Sequence, residues 1–134
     1  MIRVYVDMVG DLFHVGHLNM FKQAKAHGDY LIVGVHSDKT AESYKRKPVI
    51  KQEHRYQMVS NCELVDLVIE DAPLKITKDF ILNNEIDYII HGDDLSVESA
   101  EMMYSIPMQL GIMKTTSYTK GISTSEIIHK IKQS

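Results

Sequence analysis

The chain has 134 residues, 44% of them apolar, enough for one globular domain with a core. No apolar run approaches the roughly 18 residues of a membrane span, and the lone Cys62 excludes an internal disulfide and suits a reducing, cytoplasmic setting. A net charge of −3 offers no whole-chain attraction to nucleic acid or to an anionic membrane, so any anion must be met by locally placed cations such as Lys45-Arg46-Lys47.

In chain order, residues 2–7 have a strand pattern and none of the features of a signal peptide. Residues 16–27 read as a helix with Leu18, Phe21 and Ala24 on one face. Tyr30 to Val35 is a continuous apolar run, as in a strand buried on both sides. Residues 37–51 are polar, carry Pro48 and read as a loop. Gln52 to Cys62 is helical, with Tyr56, Val59 and Cys62 on one side, followed by a strand over Leu64 to Ile69. A helix over Thr77 to Asn84 and a strand over Asp87 to Ile90 come next. Residues 97–110 form a helix disturbed by Pro107. Ile112 to Thr116 is the fifth strand. The last helix starts near Ser123, where Ser123 and Glu126 have capping-box spacing, and turns Ile127, Ile128 and Ile131 to the core. This alternation predicts an α/β fold: one Rossmann-like domain over 1–134, a parallel five-stranded sheet with helices on both faces.

Ligands of such sheets bind outside the carboxyl ends of the strands. Polar residues collect there: Asp7, Asp11, His14 and His17 after the first strand, then His36, Ser37 and Asp38 after the second. His91, Gly92, Asp93 and Asp94 follow the fourth, and Tyr118, Thr119, Gly121, Ser123 and Thr124 follow the fifth. His14 and His17 sit at a helix start, where free N–H groups and the dipole suit phosphate, and Gly16 between them admits a close backbone approach. Two imidazoles there can donate to a phosphate as charge builds on it. The alternatives are a structural pair or half of a metal site, which needs three or four ligands. Gly121-Ile122-Ser123-Thr124 repeats the design at the last helix, although a simple N-cap would explain Ser123 alone. Lys45, on its polar loop, can bring a point charge onto phosphates, whereas Arg46 and Lys47 read as a solvated basic run. Arg55 reads as reaching a phosphate or pairing with Asp66, and Gly92-Asp93-Asp94 as binding a ribose or base, helping to hold Mg²⁺, or making an ordinary turn. The methionines 102, 103, 108 and 113 read as packing.

His14-Val15-Gly16-His17 within Asp11-Leu12-Phe13-His14, followed by Gly121-Ile122-Ser123-Thr124, resembles the cytidylyltransferases of the phosphoethanolamine, phosphocholine and glycerol-3-phosphate type. Supporting marks are Gly28-Asp29-Tyr30-Leu31, Arg55-Tyr56, Val65-Asp66, Ala72-Pro73 and His91-Gly92-Asp93-Asp94, so the resemblance covers nearly the whole chain. It implies transfer of CMP from CTP to a small phosphorylated alcohol, with release of pyrophosphate and a place in making phospholipid precursors. It further implies catalytic His14, His17 and Lys45, and CTP contacts from Val9, Gly10, Asp11, His14, His17, His91, Gly92, Asp94, Thr119, Gly121, Ile122, Ser123 and Thr124. The alcohol would meet Asp7, Lys45, Leu74, Tyr104 and Tyr118. Mg²⁺ would arrive with the CTP phosphates, and family members are commonly homodimers, with the Arg55-to-Asp66 region near the interface.

Three positions depart from the family pattern. Tyr118 stands where an arginine is usual and supplies no guanidinium charge, so other cations, Lys120 among them, must serve the triphosphate. Asp7-Met8-Val9-Gly10-Asp11 has its glycine displaced within the first loop. The family tryptophan after Ala-Pro is Leu74 here, which removes one wall of an aromatic cage for choline and leaves Tyr104. The wording is closest to the phosphoethanolamine branch. The alternatives are a phosphonate, phosphocholine or glycerol 3-phosphate as acceptor, an adenylyltransferase of the same superfamily, and a non-catalytic nucleotide-binding regulator.

Overall fold

The computed structural model describes residues 1–93, 95–117 and 121–134. The chain runs β1 (Arg3–Met8), α1 (Val15–Lys25), β2 (Tyr30–Val35), α2 (Asp38–Tyr44), α3 (Gln52–Ser60), β3 (Leu67–Glu70), α4 (Lys78–Asn83), β4 (Tyr88–Gly92), α5 (Val97–Gln109), β5 (Met113–Thr116) and α6 (Thr124–Gln133). The strands form one parallel sheet in the order β3-β2-β1-β4-β5. Asp7 of β1 lies opposite Gly34 of β2, and Tyr5 opposite Ile89 of β4. The expected fold class is the observed one.

Side chains alternate along β1, so its two faces feed two cores. Val4 and Val6 pack with Phe21 and Ala24 of α1 and with Tyr56 and Val59 of α3. Tyr5 packs on the opposite face with Ile81 of α4 and with Met103 and Tyr104 of α5. A central strand covered on both faces must read as an apolar run, and β1 and β2 do. Asp7 and His36 are the exceptions, buried where β1 ends and β2 hands over to α2.

Residues 38–44 are a helix rather than loop. Ser37 caps it, accepting from Thr40 N–H at 3.1 Å, with Asp38 in the first turn. β3 starts at Leu67, because residues 62–66 make a turn in which Val65 N–H reaches Cys62 C=O. α6 has only half-buried Ile127 and Ile128, and Ile131 is exposed, so its apolar face does not enter either core. The helix follows the last edge strand, and its N-terminal Thr124 is bonded to the first loop through Asp11 C=O. The four methionines also divide: Met103 is core, Met113 packs against it, and Met102 and Met108 are exposed.

α5 is bent. Pro107 has no N–H for the carbonyl four residues back and its ring crowds that carbonyl. Tyr104 accordingly leaves helical geometry, at φ −123° and ψ 19°. The carbonyl of Met103 turns out and accepts from Ile76 N–H at 2.9 Å. Among the described residues no helix is long and apolar enough to cross a membrane.

Candidate functional site

At the carboxyl ends of β1 and β4, where the strand order reverses, a cavity of about 510 Å³ opens. Its lining includes the first loop from Asp7 to Asp11, His14, Gly16 and His17 of the α1 start, and His36, Tyr44, Lys45 and Arg46 from the β2 side. His91 and Gly92 of β4, Met103 and Tyr104 of α5, and Ile122, Ser123 and Thr124 complete it. Of the residues expected at a site, Leu74 stands apart, packed against the second core, and exposed Gly121 is not in the lining. Leu74 is an aliphatic side chain on a chain segment tied to α5 through Ile76, and its burial there is what its chemistry favours. Asp94, Tyr118, Thr119 and Lys120 lie outside the described residues.

His14 is the N-cap of α1. Gly16 N–H donates to His14 Nδ1 at 3.0 Å, and His14 N–H donates to His17 Nδ1 at 3.0 Å. This is a capping box built from two imidazoles, their ring centroids 4.0 Å apart. Each Nδ1 is an acceptor, so the proton of each neutral ring sits on Nε2. Burial, then His14 and Lys45, hold the His17 pKa down to about 3, with Asp11 opposing them; burial lowers that of His14. Both rings are therefore neutral donors at neutral pH. Gly16 lines the cavity and has a further use. A Cβ there would come within 2.7 Å of the His14 ring, so the missing side chain seats the histidine.

The first loop is fixed from below. Gly10 has φ +70°, a conformation glycine adopts without strain. Asp11 is buried, and its carboxylate accepts from Val49 and Ile50 N–H at 2.8 and 2.9 Å. That carboxylate ties the loop to the chain beyond Lys45. Thr124 Oγ1 donates to Asp11 C=O at 2.9 Å and lies 3.5 Å from His14 Nε2, which brings the start of α6 against the start of α1.

Arg55 neither reaches the cavity lining nor pairs with Asp66, which binds Lys25 at 3.1 Å. It is fully buried beneath the loops. Its Nε donates to Ile50 C=O, one terminal nitrogen to Val9 C=O and His36 C=O, and the other to Asp38 Oδ1 at 2.7 Å. One rigid guanidinium fork thus clamps the chain leaving β1, the chain leaving β2 and the approach to α3.

The same cavity is lined by a buried polar group that spacing alone did not reveal. Tyr104 O–H donates to Asp7 Oδ1, and Tyr44 Oη lies 2.6 Å from His36 Nδ1. Burial, then the charge of Asp7, raises the pKa of both phenols, so both keep their protons. Asp7 Oδ2 and His36 Nε2 are 3.7 Å apart, and among the described residues neither has a hydrogen-bond partner. His91 stacks obliquely on Tyr104, centroids 5.1 Å apart. Tyr44 was hidden in the sequence because its helix was; the signal that could have exposed it is the Ser37-Asp38 helix start.

Residues 10–130 match the cytidylyltransferase-like family. The chain belongs to that family. Its cytidylyltransferase-like relatives include the ethanolamine-phosphate cytidylyltransferase of Dictyostelium discoideum, 41% identical over 133 residues, covering 96% of this chain and 37% of that protein. Human choline-phosphate cytidylyltransferase A is 40% identical over 134 residues, covering 97% and 36%. The chain thus spans less than half the length of these curated relatives. A solved structure described as a lipopolysaccharide core biosynthesis protein, from Thermoplasma volcanium, superposes with a TM-score of 0.72 at 30% identity, over 91% of this chain and 99% of that one.

Proposed function

We propose that the protein transfers CMP from CTP to a small phosphorylated amino alcohol of the phosphoethanolamine kind. The observation that carries this is one cavity lined both by phosphate donors and by a buried carboxylate, Asp7, whose Oδ2 has no hydrogen-bond partner among the described residues. A phosphate oxygen of the alcohol attacks the α-phosphorus, the bond from that phosphorus to the bridging oxygen breaks, and pyrophosphate leaves with the electron pair. The attacking phosphate is already an anion, so no general base is needed, and catalysis rests on positioning and charge neutralisation. The Nε2–H groups of His14 and His17 donate to the phosphate oxygens, and Lys45 supplies a full positive charge beside them. Val9, Gly10, Ile122, Ser123 and Thr124 line the same space, with His91 and Gly92 toward the nucleoside. CTP is favoured over ATP by the names of the curated relatives.

Among the described residues no group of three His, Cys or carboxylate side chains is placed to hold a metal. Mg²⁺ is accordingly proposed as part of the CTP complex, chelated by triphosphate oxygens. For the alcohol, Asp7 Oδ2 can accept from an ammonium N–H. A trimethylammonium has none and relies on aromatic walls instead. The relatives divide between ethanolamine and choline, and the free acceptor on Asp7 supports the ethanolamine reading. A homodimer is proposed along the β3 edge and the neighbouring α3, where Leu67 and Met58 are exposed, and a reducing cytoplasmic setting accords with Cys62 as a free thiol.

Pyrophosphate release with CTP or ATP against phosphoethanolamine, phosphocholine, glycerol 3-phosphate and 2-aminoethylphosphonate tests the proposal. The pair CTP and phosphoethanolamine should give the highest kcat/KM. Equal or better use of ATP overturns the base, a better acceptor overturns the alcohol, and no release with any pair leaves a nucleotide-binding protein without this chemistry.

A further inference from the structure

The chain's arginines are Arg3, Arg46 and Arg55. Arg3 binds Asn84 C=O and covers the ring of Tyr30, away from the cavity, and Arg55 is consumed by its clamp. Arg46 alone of the three lines the cavity. It is half-buried, not the solvated residue that its basic run suggests. One terminal nitrogen donates to Ser125 Oγ at 3.1 Å, in the first turn of α6. Its Nε is sealed from solvent and has no hydrogen-bond partner among the described residues. Among the described residues no carboxylate forms an ion pair with it. A permanently charged group with a buried, unmatched donor is costly to hold in place unless an anion completes it.

The surroundings specify that anion. Arg46 bonds Ser125 one residue along from Thr124, whose hydroxyl faces His14 Nε2. The start of α6 contributes its own N–H groups and positive dipole end. We propose that Arg46 binds the terminal phosphates of the triphosphate, and the pyrophosphate product, against the start of α6. This inference rests on the nucleotide-transfer reading above. The guanidinium fork spans two oxygens of one phosphate or bridges two phosphates, which a point charge such as Lys45 does not do. Arg46 therefore discriminates triphosphate from monophosphate, while His14 and His17 serve the α-phosphate common to both.

The test is direct titration of CTP, inorganic pyrophosphate and CMP into wild type, Arg46→Gln and Arg46→Lys, each checked for folding by urea denaturation. Arg46→Gln should weaken CTP and pyrophosphate about tenfold or more while leaving CMP within about twofold. Arg46→Lys should recover part of the loss, and it carries the same comparison if the glutamine variant does not fold. Unaltered CTP and pyrophosphate affinities, or a parallel loss of CMP, overturn the assignment. Wild type that binds neither CTP nor pyrophosphate overturns the nucleotide reading itself, a result distinct from wild type that binds both and a variant that binds equally well.

Discussion

His17 shows how far one side chain's environment sets its chemistry. It lies beside a second histidine and close to Lys45, so positive charge on its ring is disfavoured twice over, and burial disfavours it further. What it offers a phosphate is a neutral, pre-aimed Nε2–H. His17→Ala removes that donor and should lower kcat by about 10²–10³-fold with the far-UV circular dichroism unchanged; near-normal turnover would show that His17 only caps the helix. The same environment makes His17 a pH-dependent element of stability. Its folded pKa of about 3 lies below the ordinary 6.5, so the unfolded chain takes the proton first as pH falls. The stability is complete above about pH 6.5 and declines toward pH 3, with a slope from this group of at most about 1.4 kcal/mol per pH unit. Urea denaturation between pH 7 and 4 should show a steeper decline in wild type than in His17→Ala. The histidine pair was legible in the sequence, since spacing and a helix start are local features. The buried partnership of Asp7, His36, Tyr44 and Tyr104 was not, because those residues meet only across β1, β2, α2 and α5.

Among the elements, α5 carries the clearest link from a local rule to the site. Pro107 removes one helical bond, the helix bends at Tyr104, and the phenol meets Asp7. Pro107→Ala gives back helix propensity, worth up to about 3 kcal/mol in a helix interior, and sets the Met103 carbonyl in competition between the helix and Ile76. The expected result is a rise of about tenfold in KM for the phosphorylated alcohol with CTP affinity unchanged. An unaltered KM would show that packing around Tyr104 maintains the bend. α2 shows the converse limit of sequence reading. Pro48 and a run of polar residues pointed to a loop, while a seven-residue helix starts from one serine cap, too short for periodicity to declare itself. α6 has strong periodicity, yet periodicity says only which face is apolar and not whether anything covers it, and here Ile131 is exposed.

For the molecule as a whole, the site straddles the seam between β1 and β4. His36, Tyr44, Lys45 and Arg46 come from one side, and His91, Tyr104 and Thr124 from the other. A ligand that touches both sides binds only the assembled form. CTP at 100 times its Kd should therefore raise stability by about 2.7 kcal/mol. It should also slow amide hydrogen exchange at the ends of both β1 and β4; slowing confined to one strand would mean that the nucleotide engages one side alone. The strand order has a further consequence during synthesis. β1 is made first but lies in the middle of the sheet, and β2 and β3 can pair on one side of it as soon as they emerge. Its other side has no partner until β4 is made, which comes about one to a few seconds after β3 is complete at ordinary elongation rates. For that time the nascent chain presents an open, apolar strand edge, the kind of surface on which chains pair wrongly with one another. The residues between β3 and β4 are therefore a stretch over which slow translation is expected to cost yield of folded protein.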